Sequence, residues 1–73
     1  MHRDSVTAWV GLGANLGDPA QAVRDAIDAL GRLPHTTLIA RSSLWRSAPV
    51  DAQGPDFINA VAAVSTRLCA PAL

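Results

Sequence analysis

The chain has 73 residues, enough for one small domain or part of one, and a chain of this size buries only about 60% of the surface its unfolded form exposes. Six arginines balance six aspartates with neither lysine nor glutamate, so the formal net charge is zero; no run of like charge suggests a nucleic-acid footprint or a polybasic membrane anchor. The absence of lysine also excludes a P-loop lysine or a Schiff base within this stretch.

Apolar residues make up 49% of the chain but aromatics only 4%, and alanine supplies much of the difference, so the core is expected to be built from small side chains. Cys69 is the one cysteine, which rules out an internal disulfide and suits a reducing compartment; it reads as an incidental thiol. The opening Met-His-Arg-Asp-Ser has no apolar signal core, and no run approaches the about 18 apolar residues of a membrane span. A cytoplasmic location is the expectation.

In chain order, Thr7 to Leu12 form a short apolar run that predicts a buried strand with Trp9 as its large anchor. Gly11-Leu-Gly-Ala-Asn-Leu-Gly-Asp-Pro follows and reads as a loop. It is no phosphate cradle by itself, because Leu16 stands where a dinucleotide fingerprint needs its third glycine. Asp18 then Pro19 predict a helix N-cap with proline at the first helical position, and Gln21 is placed to complete a capping box. Val23, Ala26, Ile27 and Leu30 make one apolar face, while Arg24, Asp25 and Asp28 fall on the solvent side. Gly31 is expected to end the helix, and Leu33-Pro34 to keep it from resuming.

From Thr36 the period becomes two. Leu38, Ala40, Ser42 and Leu44 oppose Thr37, Ile39, Arg41, Ser43 and Trp45, which predicts a single half-buried strand of roughly ten residues. A loop carrying Pro49, Gly54 and Pro55 leads to Phe57–Thr66, apolar on both faces and so expected at the centre of a sheet. Pro71 marks the opening of a second helix. Phe57 and Asn59, two apart, point to the same side of that strand. A ring and an amide so placed suit a flat heterocycle, the ring on its face and the amide on its edge. The same spacing also fits a plain hairpin with a half-buried Phe and a turn-capping Asn.

The motifs Gly11-Leu-Gly-Ala-Asn-Leu-Gly-Asp and Ser43-Leu-Trp-Arg-Ser-Ala-Pro-Val, the second followed by Gln53-Gly-Pro-Asp-Phe-Ile-Asn-Ala-Val, resemble those of the 6-hydroxymethyl-7,8-dihydropterin pyrophosphokinases of folate biosynthesis. The resemblance runs from Thr7 onward and covers about the first half of the family's domain, so residues 1–73 are expected to be the N-terminal portion of one such domain. It implies an α+β, ferredoxin-like sandwich, here its β-α-β-β part. It implies transfer of pyrophosphate from ATP to the pterin hydroxymethyl oxygen, a small-molecule pterin partner, and a monomer at full length. By motif position, Ser47 and Val50 should offer backbone groups to the pterin edge, Ala48 and Pro49 shape the pocket wall, Phe57 stack on the pterin and Asn59 bind its edge. Gly13 and Asn15 carry over as structural and gating residues of a mobile loop.

Four positions depart from the family pattern: Ser47 and Ala48 in Ser47-Ala48-Pro49, where Thr-Pro-Pro is frequent, Phe57 for Tyr, and Gly54 for Gln. The resemblance also implies magnesium held by an Asp-X-Asp pair and ATP held by Arg, Trp and His residues, all downstream of Leu73. No catalytic and no metal residue is therefore expected in this stretch, and the 73 residues alone are expected to be inactive. A different class of reading is a non-catalytic, small ferredoxin-like module that binds a ligand or self-associates through an unfinished sheet. It leaves the coincidence of two motifs unexplained.

Overall fold

The computed structural model describes residues 4–50 and 54–67. Cys69 and the helix expected from Pro71 lie outside them. The described elements are β1 (Val6–Ala14), α1 (Pro19–Gly31), β2 (Thr36–Arg41), β3 (Trp45–Ser47) and β4 (Phe57–Thr66). This is the expected α+β arrangement, an antiparallel sheet with one helix laid on it.

β4 is central, as its two apolar faces predict. It pairs antiparallel with β1 along one edge and with β2 and then β3 along the other. Both edges of its backbone are therefore hydrogen-bonded, as a central strand requires.

The helix begins as expected. Asp18 Oδ1 accepts the Gln21 amide N–H at 3.2 Å, and Pro19 occupies the first turn, where its missing N–H costs nothing. The capping box is only half formed, because the Gln21 side chain donates to Asp25 Oδ1 at 2.9 Å instead of returning to the cap. Gly31 is the last helical residue but not the residue that turns the chain. Arg32 closes the helix in a right-handed conformation, and the left-handed position is His35, at φ 56°. Of the predicted face, Val23 and Ile27 are fully buried and Ala26 and Leu30 half-buried, while Arg24, Asp25 and Asp28 are exposed.

Val23 and Ile27 pack against Ala60 of β4, flanked by Leu12 and Ala14 of β1, Ile58 of β4, Leu38 of β2, and Leu44. At the far end, Thr36 Oγ1 donates to the Pro34 carbonyl at 3.0 Å and so accepts from Thr66, the buried hydroxyl 2.8 Å away. Burial of that polar group is thereby offset.

Three expectations fail on the sheet. β1 runs through Gly11 and Gly13 to Ala14, because both glycines keep their pairing with Val61 and Asn59, and the loop starts only at Asn15. Trp9 is 72% exposed, since its position opposite Ala63 puts it on the face away from α1. The ten-residue strand is broken in two. Leu38 faces Val64 but Ala40 faces Ala63, so Ile39 is an extra residue that bulges out. Ser42 bonds to Val61 at both its backbone N–H and its Oγ, and Trp45 already faces Asn59, so Ser43 and Leu44 together span a single β4 position. Each extra residue shifts the faces by one, which simple alternation could not reveal.

Truncating Ile27 removes the largest buried side chain of the helix contact. Ile27→Ala should lower unfolding stability by about 2–5 kcal/mol, read as a reduced midpoint with an unchanged slope in urea titration. A change near zero would mean that α1 does not hold the sheet.

Candidate ligand site

Rows across an antiparallel sheet put directly paired residues on one face. Gly13 of β1, Asn59 of β4 and Trp45 of β3 form one such row on the face turned away from α1. Ser47 and Phe57 form the next row on that face. Asn15 follows β1 at the same end. The expected ring and amide are therefore on one face, as their spacing required, and the sheet brings Gly13 and Ser47 to them from strands on either side.

Asn59 is held by its neighbours. Its Nδ2 donates to Ser47 Oγ at 2.8 Å and more weakly to the Trp45 carbonyl at 3.5 Å. Gly13 lies beneath it. A Cβ at Gly13 would stand 3.1 Å from Asn59 Oδ1 and 4.0 Å from Phe57 Cδ1, so the strand is bare where the amide and ring need room. Gly13, expected in a loop, is a residue of β1.

Asn15 Nδ2 reaches the Pro55 carbonyl at 3.5 Å, a long contact that ties the turn after β1 to the β3–β4 connection. In that connection Gly54 has φ 80°, a left-handed conformation that glycine adopts without steric cost. Glycine at this departure from the family pattern thus suits the local backbone. Of the other expected residues, Ala48 and Val50 are exposed and Pro49 is half-buried. The connection carries them past the end of the sheet, beyond the row of Ser47 and Phe57; residues 51–53 lie outside the described set.

Sequence reasoning missed the Ser47 hydroxyl and the Trp45 carbonyl as the partners of Asn59. The available signal was a second pair spaced by two, Trp45 and Ser47, across the connection from Phe57 and Asn59. Among the described residues no group of three or more His, Cys, Asp or Glu side chains is placed to hold a metal ion. No helix among them is long and apolar enough to cross a membrane.

Gly11 and Gly13 provide a paired test. Nothing lies within 4 Å of a Cβ at Gly11, so Gly11→Ala should stabilise by about 0.4–1 kcal/mol. Gly13→Ala should instead cost about 1 kcal/mol and displace the Asn59 amide, seen as loss of its contact with Ser47 in a crystal structure. Equal effects in urea titration would show that Gly13 is not needed for room.

Residues 9–73 match the family model described as 7,8-dihydro-6-hydroxymethylpterin-pyrophosphokinase. Among curated proteins, the chain is 46% identical over 61 residues to the 2-amino-4-hydroxy-6-hydroxymethyldihydropteridine pyrophosphokinase of Pseudomonas aeruginosa, covering 82% of this chain and 38% of that protein. It is 39% identical over 64 residues to the protein of the same name from Haemophilus influenzae, covering 86% of this chain and 40% of the relative. A Pseudomonas putida protein of that name is 42% identical over 69 residues, covering 94% of this chain and 58% of the relative. The chain thus spans between 38% and 58% of the length of these relatives.

Proposed function

The chain belongs to the 7,8-dihydro-6-hydroxymethylpterin-pyrophosphokinase family, and from that premise we propose that the protein containing it transfers pyrophosphate from ATP to the hydroxymethyl oxygen of the dihydropterin. Residues 1–73 are then the N-terminal portion of a single domain and supply the pterin side of the site. The observation that carries this reading is the convergence of Phe57 and a hydrogen-bonded Asn59 on one sheet face above a strand kept bare at Gly13.

A flat, polar-edged heterocycle answers to that arrangement. Its ring face lies against Phe57 and its edge meets the Asn59 amide, while Ser47 and Val50 offer backbone groups and Ala48 and Pro49 form the wall. Phe57 keeps the stacking surface that a tyrosine would provide and lacks only the hydroxyl. Asn15 steadies the adjoining turn through Pro55.

Magnesium and ATP belong to the same reading. When bound, the metal neutralises the charge that develops on the transferred group. The described residues contribute elsewhere: they hold the pterin so that its hydroxymethyl oxygen has one position, and fixed geometry is a large part of what such a transfer needs. As the resemblance implies that metal and ATP are held by residues downstream of this stretch, residues 1–73 added alone to an assay should release no AMP. A cytoplasmic site of action fits this chemistry.

Expression of the whole protein and measurement of AMP release from ATP, magnesium and the dihydropterin tests the assignment directly; no release would remove it. Within it, Asn59→Ala should weaken pterin binding by about 1–3 kcal/mol, because the ligand's polar edge is left unpaired. Phe57→Leu keeps apolar bulk and loses the stack, for about 0.5–1.5 kcal/mol. The reverse order, by titration calorimetry, would mean that the ring and not the amide selects the ligand.

A further inference from the structure

In the hydrogen-bonded pairs of an antiparallel ladder, each residue meets its partner with its own N–H and its own carbonyl. Ser42 does half of this. Its N–H donates to the Val61 carbonyl at 2.8 Å, but the Val61 N–H is received at 2.9 Å by the Ser42 hydroxyl. The Ser42 carbonyl accepts instead from the exposed Arg41 Nε at 3.2 Å. A serine hydroxyl lies close to the backbone and can accept an N–H, so it can take the place of a carbonyl.

The exchange falls where the chain changes register. Arg41 faces Ala62 and Trp45 faces Asn59, so Ser42, Ser43 and Leu44 stand against Val61 and Ala60 alone. Regular pairing onward from Ser42 would set Ser43 against Ala60 and Leu44 against Asn59. The bulge instead packs Leu44 against the core of Val23, Ile27 and Ala60 and leaves the exposed Ser43 as the surplus residue. A carbonyl taken out of the ladder leaves the half-buried Val61 N–H in need of another acceptor, and the hydroxyl is that acceptor.

We infer that Ser42 is the register lock between β2 and β3: its hydroxyl replaces its own carbonyl opposite Val61, which lets the chain carry one extra residue and still bring Trp45 level with Asn59. Neither Ser42 nor Val61 is among the proposed ligand residues, so Ser42 is a positioning residue that acts through the placement of β3. The position requires a hydroxyl. Threonine supplies one on a side chain suited to a strand, and alanine does not. The consequence for ligand binding rests on the pterin reading above; the lock itself does not.

Backbone amide exchange, followed by NMR in the whole protein that contains this chain, reads the lock directly. The Val61 amide should be protected in the unaltered protein and in Ser42→Thr. In Ser42→Ala it should exchange at least about 10-fold faster, while the amides of residues 62–66 keep their protection. Unchanged protection at Val61 would overturn the lock, and so would an equal loss all along β4, which is the mark of general destabilisation. Should Ser42→Ala not fold, Ser42→Thr decides: a protected Val61 amide upholds the lock and an unprotected one overturns it.

Deletion of Ser43 separates this role from that of an ordinary hydrogen bond. Without the surplus residue the Ser42 carbonyl can itself receive the Val61 N–H, and Trp45 still falls opposite Asn59. With 6-hydroxymethyl-7,8-dihydropterin as the probe, Ser42→Ala should weaken binding about 3- to 10-fold where Ser43 is present and less than about 2-fold where it is deleted. Equal losses in the two backgrounds would overturn the inference. If the unaltered protein binds no pterin, the functional reading fails by itself, and exchange at Val61 still decides the lock.

Discussion

Everything in this fold is indexed on one thin strand. β4 carries Ala60, Ala62 and Ala63, each about 1% exposed, and its small side chains let α1 settle on one face while β1, β2 and β3 pair along both edges. Interiors pack at crystal-like density, so a larger residue at Ala60 would lift Val23 and Ile27 off the central strand. The alanine-rich composition is thus the condition for a central strand in a chain with few aromatics.

The same strand sets the site. Pairing puts Gly13 and Trp45 in the row of Asn59, and Ser47 in the row of Phe57, so three strands meet through one register. A one-residue slip of β4 would turn Asn59 to the helix side and Ile58 to the open face. Burial of Ala60 against the helix prevents that slip. Core packing and the geometry of the candidate site are consequently two outcomes of a single alignment, the first on the helix face and the second on the face turned away from it.

The two bulges serve this alignment. Without the extra residue at Ile39 and the widened step at Ser43 and Leu44, Trp45 and Ser47 would fall at other β4 positions and the Asn59 amide would lose its partners. Bulges bend a strand and re-aim its side chains, and they concentrate beside functional sites for that reason. The connection from Ser47 to Phe57 then carries Ala48, Pro49 and Val50 past the end of β3, and its Pro55 carbonyl meets Asn15 of the turn after β1.

Sequence by itself determined what depends on local chemistry and short periods. The cap at Asp18, the apolar face of α1, the central place of β4 and the shared face of Phe57 and Asn59 all follow from spacings of two to four residues. The two motifs also pointed to the family that the match over residues 9–73 establishes. Tertiary structure decided what depends on register between distant strands. Whether Gly13 belonged to a loop or a strand, whether Trp9 was covered, where the long strand broke, and which atoms Asn59 would meet are questions of partner, and alternation within one strand carries no information about the strand beside it. The Asn59–Ser47 bond spans twelve positions of sequence and exists only because two bulges bring those residues level.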